Sequence, residues 1–167
     1  MAVGDMIGAA VGVILLVIVA YLLVGSVLST TQIVTNAQKS ATLLEEEQLK
    51  TDVTITQAST QTDTDLNTDM DINCTIINTG NEVISDFAHM DVYVYDNNTG
   101  TYQLYLYSTS GASGTWTIIG TGTDVIHPRE LDPGETYRIL VRTLGTSKPS
   151  WFQITTGNAV SASAYLP

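Results

Sequence analysis

Residues 6–28 read MIGAAVGVILLVIVAYLLVGSVL, an unbroken run of 23 positions without Asp, Glu, Lys, Arg or His. About 20 apolar residues in a helix, rising roughly 1.5 Å each, cross the hydrocarbon layer of a bilayer, and the same length can instead form the apolar core of a helical filament. One charge, Asp5, precedes the run, and the first basic residue of the chain is Lys39. A secretory signal would carry a basic leader, a shorter apolar centre and a small-residue cleavage site, so a cleaved signal is disfavoured. The positive-inside rule assigns no orientation, because no Lys or Arg flanks the run. A chain that has lost a basic leader reads this way, and so does one made without it.

Within and just before this run, Gly4, Gly8 and Gly12 fall at four-residue spacing, giving two overlapping GxxxG units on one helix face, with Gly25 as a further notch. Such a face lets a second helix approach closely where water supplies no driving force. The plainer reading is that glycine is common in apolar helices. Helical spacing continues through Ile33, Ala37, Ala41 and Leu44, with neither Pro nor Gly between Gly25 and Gly80. One continuous helix from about residue 4 to residue 50 is therefore expected, roughly 70 Å long and more than twice the bilayer core. Glu45, Glu46 and Glu47 read as a solvated face, with Lys50 in reach of Glu46 at i, i+4.

From Thr51 the apolar period shortens to two. Alternation over 52–56 and 70–76 predicts strands, with a polar run at 57–68 between them. Residues 91–95 and 101–107 flank Asp96-Asn97-Asn98-Thr99-Gly100, a hairpin signal, with Val92 and Val94 facing in and Tyr93 and Tyr95 facing out. Further strands are expected at 115–119, 136–143, 151–155 and 160–165, with Asp132-Pro133-Gly134-Glu135 as a turn. Roughly seven to nine short strands with turn chemistry between them favour a β-sandwich over an open sheet. The fold class is thus α+β: a long hydrophobic α-helix over 1–50, then an all-β, immunoglobulin-like sandwich as outer domain over 51–167. The lone Cys74 reads as a small core residue.

Composition excludes some functions. A net charge of −11 with six Lys and Arg spread over the chain rules out nucleic acid as a main partner, because a phosphate backbone calls for a clustered basic surface. No nucleophile elbow or phosphate-cradling Gly-rich loop is present, and His89 and His127 read as structural, so no catalytic residue and no cofactor is assigned. Asp63, Asp65, Asn67, Asp69 and Asp71 superficially resemble a calcium loop. Thr68 stands where such a loop needs Gly and Cys74 where it needs Glu, so no metal site is assigned. Asn73 with Thr75 and Asn97 with Thr99 match the N-glycosylation acceptor pattern, and Asn97, in the hairpin loop, is the better candidate. Tyr93, Tyr95, Tyr105 and Tyr107, with Trp116 and Trp151, are expected to form an exposed face for subunit contact or sugar binding.

A glycine-bearing apolar helix that continues as an amphipathic rod, followed by a β-domain containing Ile76-Ile77-Asn78-Thr79-Gly80-Asn81 and Asp132-Pro133-Gly134-Glu135-Thr136, resembles the archaellins and archaellin-like proteins of archaea. The resemblance covers the whole chain in layout. It implies a structural subunit of an extracellular, archaellum-like filament serving motility, N-glycosylated and membrane-inserted before assembly. Homo-oligomerisation into a helical polymer is implied, with other archaellins, the archaellum motor or the S-layer as further partners. Helix packing in the filament core then falls to Gly4, Asp5, Gly8, Gly12, Ile14, Leu15, Leu22 and Gly25. Asp5 stands where type IV pilins carry an acidic residue; it either seeks a neighbour's amine or lies at the water boundary. The same resemblance admits two other roles: a membrane-anchored stator or accessory protein whose head binds the filament or the S-layer, and a cell-surface adhesion module.

Overall fold

The computed structural model describes residues 2–62, 70–122, 124, 126–144 and 148–167, without the side chains of Ala2 and Asp5. Asp63, Asp65, Asn67 and Asp69 of the acidic series lie outside the described residues. The chain divides into two compact units, Met1–Leu44 and Glu45–Pro167. Helix α1 runs Ala2–Lys50 without a break, as the absence of Pro and of any turn signal over that range requires.

Eight strands follow: β1 Val53–Thr62, β2 Met70–Asn78, β3 Asp91–Asp96, β4 Thr101–Tyr107, β5 Thr115–Thr121, β6 Thr136–Arg142, β7 Trp151–Thr155 and β8 Ser161–Tyr165. Their order is β1-β2-β6-β5-β4-β3-β7-β8. All neighbours are antiparallel except β4 and β5, whose parallel pairing is confined to Leu106 with Thr115 and Tyr107 with Trp116. That short bridge forms a corner joining two four-stranded sheets, and β1 and β8 approach each other at the opposite corner. The sandwich expected from the strand pattern is thus closed into a near-barrel. Its interior holds Ile72, Ile76, Trp116, Ile139, Val141, Phe152 and Ile154, all fully buried, with Cys74 among them. Burial pushes the Cys74 thiol up to about 12, so the thiol is a packing group and not a reactive one.

Two expectations need correction. Residues 57–62 are not a polar loop but the second half of β1, where Gln57 through Thr62 pair with Thr75 through Met70 beyond a bulge between Ile55 and Gln57. Thr, Ser and Gln serve in a strand as well as aliphatic residues do when one face is solvated. Tyr105 and Trp116 are core residues, 3% and 0% exposed, not surface aromatics. The hairpin register sets Tyr105 opposite Val92, and directly opposed residues of an antiparallel pair share a face. With Val92 inward, Tyr105 follows it in and Leu104 and Leu106 are exposed. Tyr107 is half-buried against Trp116, ring centroids 4.8 Å apart.

The end of α1 is settled inside the second unit. The Thr51 N–H and Oγ1 both donate to Glu47 O, at 3.0 and 2.8 Å. The Lys50 carbonyl accepts from the N–H groups of Asn81 (2.7 Å) and Glu82 (3.2 Å), and Asp52 O accepts from Thr79 and Gly80. A Cβ at Gly80 would overlap Lys50 O and Asp52 N, so only glycine admits this approach. Fully buried Asn78 holds the turn: its Nδ2 donates to Glu82 O at 2.7 Å and Leu131 O at 2.8 Å, and its Oδ1 accepts from Gly80 N at 3.0 Å. Its backbone also pairs with Gly134 and Glu135. The motif at 76–81 and the turn at 132–135 are therefore one connected structure. In that turn Pro133 and Gly134, the latter at φ +83°, supply the backbone angles of a type II turn, closed by Glu135 N–H to Asp132 O at 3.0 Å.

Asp132 is buried and takes two bonds from His127, from its backbone N–H at 3.1 Å and from Nδ1 at 2.8 Å. The hydrogen bond to Asp132, and then that carboxylate's charge, hold the His127 imidazole above its usual value of 6.5. The protonated form is therefore favoured in the folded state. The stability it contributes is complete below pH 6.5 and is lost as pH rises through the folded-state value.

Two outcomes follow for this region. Gly80→Ala should lower stability by about 1–3 kcal/mol through forced overlap, read by denaturant unfolding with tryptophan fluorescence; an unchanged midpoint would mean the helix end is not packed as described. His127→Gln should remove a pH dependence, so that wild type and variant converge in Tm as pH climbs from about 6.5 towards 9. Parallel curves would show that the His127–Asp132 bond makes no pH-linked contribution.

Candidate assembly site

Helix α1 is apolar on every side through residues 6–28, not along one stripe. Ile7 is 60% and Leu22 63% exposed, with Ile14 and Leu15 similar. A helix apolar all round belongs in a core or a bilayer, since each Leu or Ile transferred from water contributes roughly 1.5–3 kcal/mol. At about 100° per residue, Gly4, Gly8, Leu15 and Leu22 lie within roughly 40° of one another, with Gly12 about 80° from Gly4 on one side and Ile14 and Gly25 some 60–80° on the other. A Cβ placed at Gly4, Gly8, Gly12 or Gly25 would meet nothing within 4 Å. The glycines thus have no steric reason in their own surroundings, although each costs about 1 kcal/mol relative to Ala in a helix interior. Asp5 lies on the helix, and its side chain is outside the description.

Polar groups near the end of the apolar run are satisfied within the helix. Thr30 Oγ1 donates to Ser26 O at 3.0 Å and Thr31 Oγ1 to Val27 O at 2.9 Å. Hydroxyls bonded back one turn need no water, so the apolar environment can extend past Leu28 to these residues. Farther on, Lys50 Nζ donates to Glu46 Oε1 at 2.6 Å. That bond lowers the Glu46 carboxyl and raises the Lys50 amine from their ordinary values; both are exposed, and the pair marks the solvated end of α1.

The two glycosylation candidates differ in setting. Asn73 sits mid-strand in β2, between β1 and β6, and is half-buried. Asn97 is exposed in the β3–β4 loop; its Nδ2 donates to Lys148 O at 2.6 Å and its Oδ1 accepts from Ser150 Oγ at 2.8 Å. An amide nitrogen carries two donors, so a glycan can replace one while the other keeps its bond. Among the described residues no three His, Cys, Asp or Glu side chains gather as a metal site. His89 is tied to Asp86, its Nδ1 2.6 Å from Oδ2.

The residues missed from sequence are Asn78 and Gly80. Their motif is visible, but its role as the clamp on the end of α1 depends on a contact 30 residues apart in the chain, Lys50 with Gly80.

Comparison with known proteins fits this geometry. A family model described as archaeal-type flagellin matches residues 2–164. A search of curated proteins found no match. Among solved structures, flagellin FlaB1 from Methanocaldococcus jannaschii is similar at 14% identity and TM-score 0.50, covering 69% of this chain and 88% of that one. The archaellum periplasmic stator protein FlaG from Sulfolobus acidocaldarius is similar at 20% identity and TM-score 0.48, covering 68% and 97%. The FlaB1 likeness shows that the fold of the matched part of the chain is shared.

Mass spectrometry of peptides from the exported protein should find a glycan on Asn97 and none on Asn73, whose central strand gives a transferase no room. A glycan on Asn73 alone would reverse this assignment.

Proposed function

The chain belongs to the archaeal-type flagellin family, and on that premise we propose that it polymerises through α1, packing its helix against the same helix of neighbouring copies. As a member of that family it is a structural subunit of an archaellum filament outside the cell, and not an enzyme. The observation that carries the proposal is an all-round apolar helix whose glycines answer to no contact of their own.

In this reading Gly4, Gly8, Gly12 and Gly25 admit close approach by a neighbour, while Ile14, Leu15 and Leu22 fill the space between helices. Relative to exposure in water, covering those three side chains at roughly 2 kcal/mol each is worth on the order of 6 kcal/mol per subunit, whether a bilayer or neighbouring helices supply the cover. The step from bilayer to filament core is driven by close packing. Asp5 stays at the water boundary or pairs with a neighbour's amine, since an unpaired carboxylate in an apolar core is costly. Before assembly the helix resides in the membrane, for which it is long and apolar enough. Other archaellins, the motor and the S-layer complete the partners proposed.

Gly8→Leu and Gly12→Leu should each abolish filaments in the sheared fraction and leave the chain with the membrane. The head should stay folded, with Cys74 still unreactive towards thiol reagents. Normal filaments from both variants would refute packing through this face. An unsubstituted chain that never enters filaments and remains membrane-bound at low copy number would instead be an anchored accessory or adhesion protein.

A further inference from the structure

The strand registers place a face with a single charged position on the outside of the β4-β3-β7-β8 sheet. Tyr102 stands opposite Tyr95, Tyr95 opposite Trp151 and Trp151 opposite Tyr165. Four aromatic residues therefore form a single row across four strands, with Leu104 opposite Tyr93 in the next row. Tyr102 is 65% and Tyr165 84% exposed. Three outward positions on each of these four strands make twelve, and Asp91 alone among them is charged, in a chain with 17 acidic residues.

We infer that this aromatic face is where the head of one subunit packs against a second copy of this chain in the filament. The inference rests on the filament reading above and adds to it a contact independent of α1. Charge favours this face for a contact between copies: in chains of net charge −11, a contact in which one partner presents a single carboxylate brings few like charges together. Ring geometry points the same way. Tyr95 and Tyr102 are tilted by 58° at 5.1 Å, and Tyr102 meets Trp151 edge-on at 82° and 5.4 Å. A sugar ring stacks on flat, parallel aromatic faces, whereas interlocked tilted rings offer the uneven apolar relief of a protein contact. The contact is heterologous, as a helical polymer requires, so the row packs on a different part of its neighbour.

The test is thiol labelling of the full-length chain carrying Leu104→Cys or Tyr165→Cys, with a maleimide as probe. Both positions are exposed in the single chain, and Cys74 is silent because it is buried. The expected result is that both cysteines label roughly tenfold more slowly in sheared filaments than in detergent-dissociated subunits. Equal rates in filaments and free subunits would overturn the inference and leave the filament reading intact. Protection on intact cells that is lost in sheared filaments would assign the face to another cell-surface partner, and would also overturn it. Absence of filaments from the unsubstituted chain would remove the filament reading and this inference together.

Discussion

Everything beyond residue 50 depends on how the last carbonyls of α1 are satisfied. A helix terminus leaves four carbonyls without intrahelical partners, and a terminus packed against protein must find them donors. Here Asn81 and Glu82 supply N–H groups to Lys50 O, and Gly80 lies so close to that carbonyl that no side chain fits. Three residues later β1 begins, with Val53 paired to Asn78. The cap therefore also sets the register of the first strand pair. Asn78, buried with its amide bonded to Glu82 and Leu131, ties this cap to the turn that starts β6. An asparagine at that place is demanded by three backbone groups at once, which an aliphatic residue would leave unpaired.

The two units answer water in opposite ways. The β-unit buries its apolar residues internally, with Trp116, Tyr137 and Phe152 closed off from solvent. The helical unit leaves Ile7, Leu15 and Leu22 exposed and needs further copies or a bilayer to cover them. Cover by further copies or by a bilayer is thus a requirement of the helix and not of the β-domain. The acidic charge adds a second constraint. Identical copies with net charge −11 come together most readily through residues that carry little charge, and the apolar run of the helix and the outer face of β4-β3-β7-β8 are such surfaces. Salt screens the remaining repulsion over about 10 Å or less.

Much of this was legible in the residues. The helix, the β3–β4 hairpin, the Pro133-Gly134 turn and the buried Cys74 all follow from period, turn chemistry or composition. The second half of β1 was not, because Gln57, Ser59 and Thr60 look like loop residues until β2 lies beside them. The clamp at Gly80 was not, because its partner is Lys50. Among candidate assembly residues, the glycine spacing is a sequence fact, while the open space around each glycine required coordinates.

The sequence by itself determined that an apolar helix precedes a β-domain, that the helix carries a small-residue face, and where most strands begin and end. Local propensity and periodicity act over a few residues, and a few residues suffice to read them. Only the tertiary structure decided which side of β4 faces inward. Side chains alternate with a period of two, so a shift of one residue across the 97–100 loop would exchange Tyr105 for Leu104 in the core. The register across that loop fixes the choice, and with it the composition of the outer face: Tyr102 and Leu104 lie outside and Tyr105 inside. That register is set by packing of the whole barrel and is not written in either strand alone.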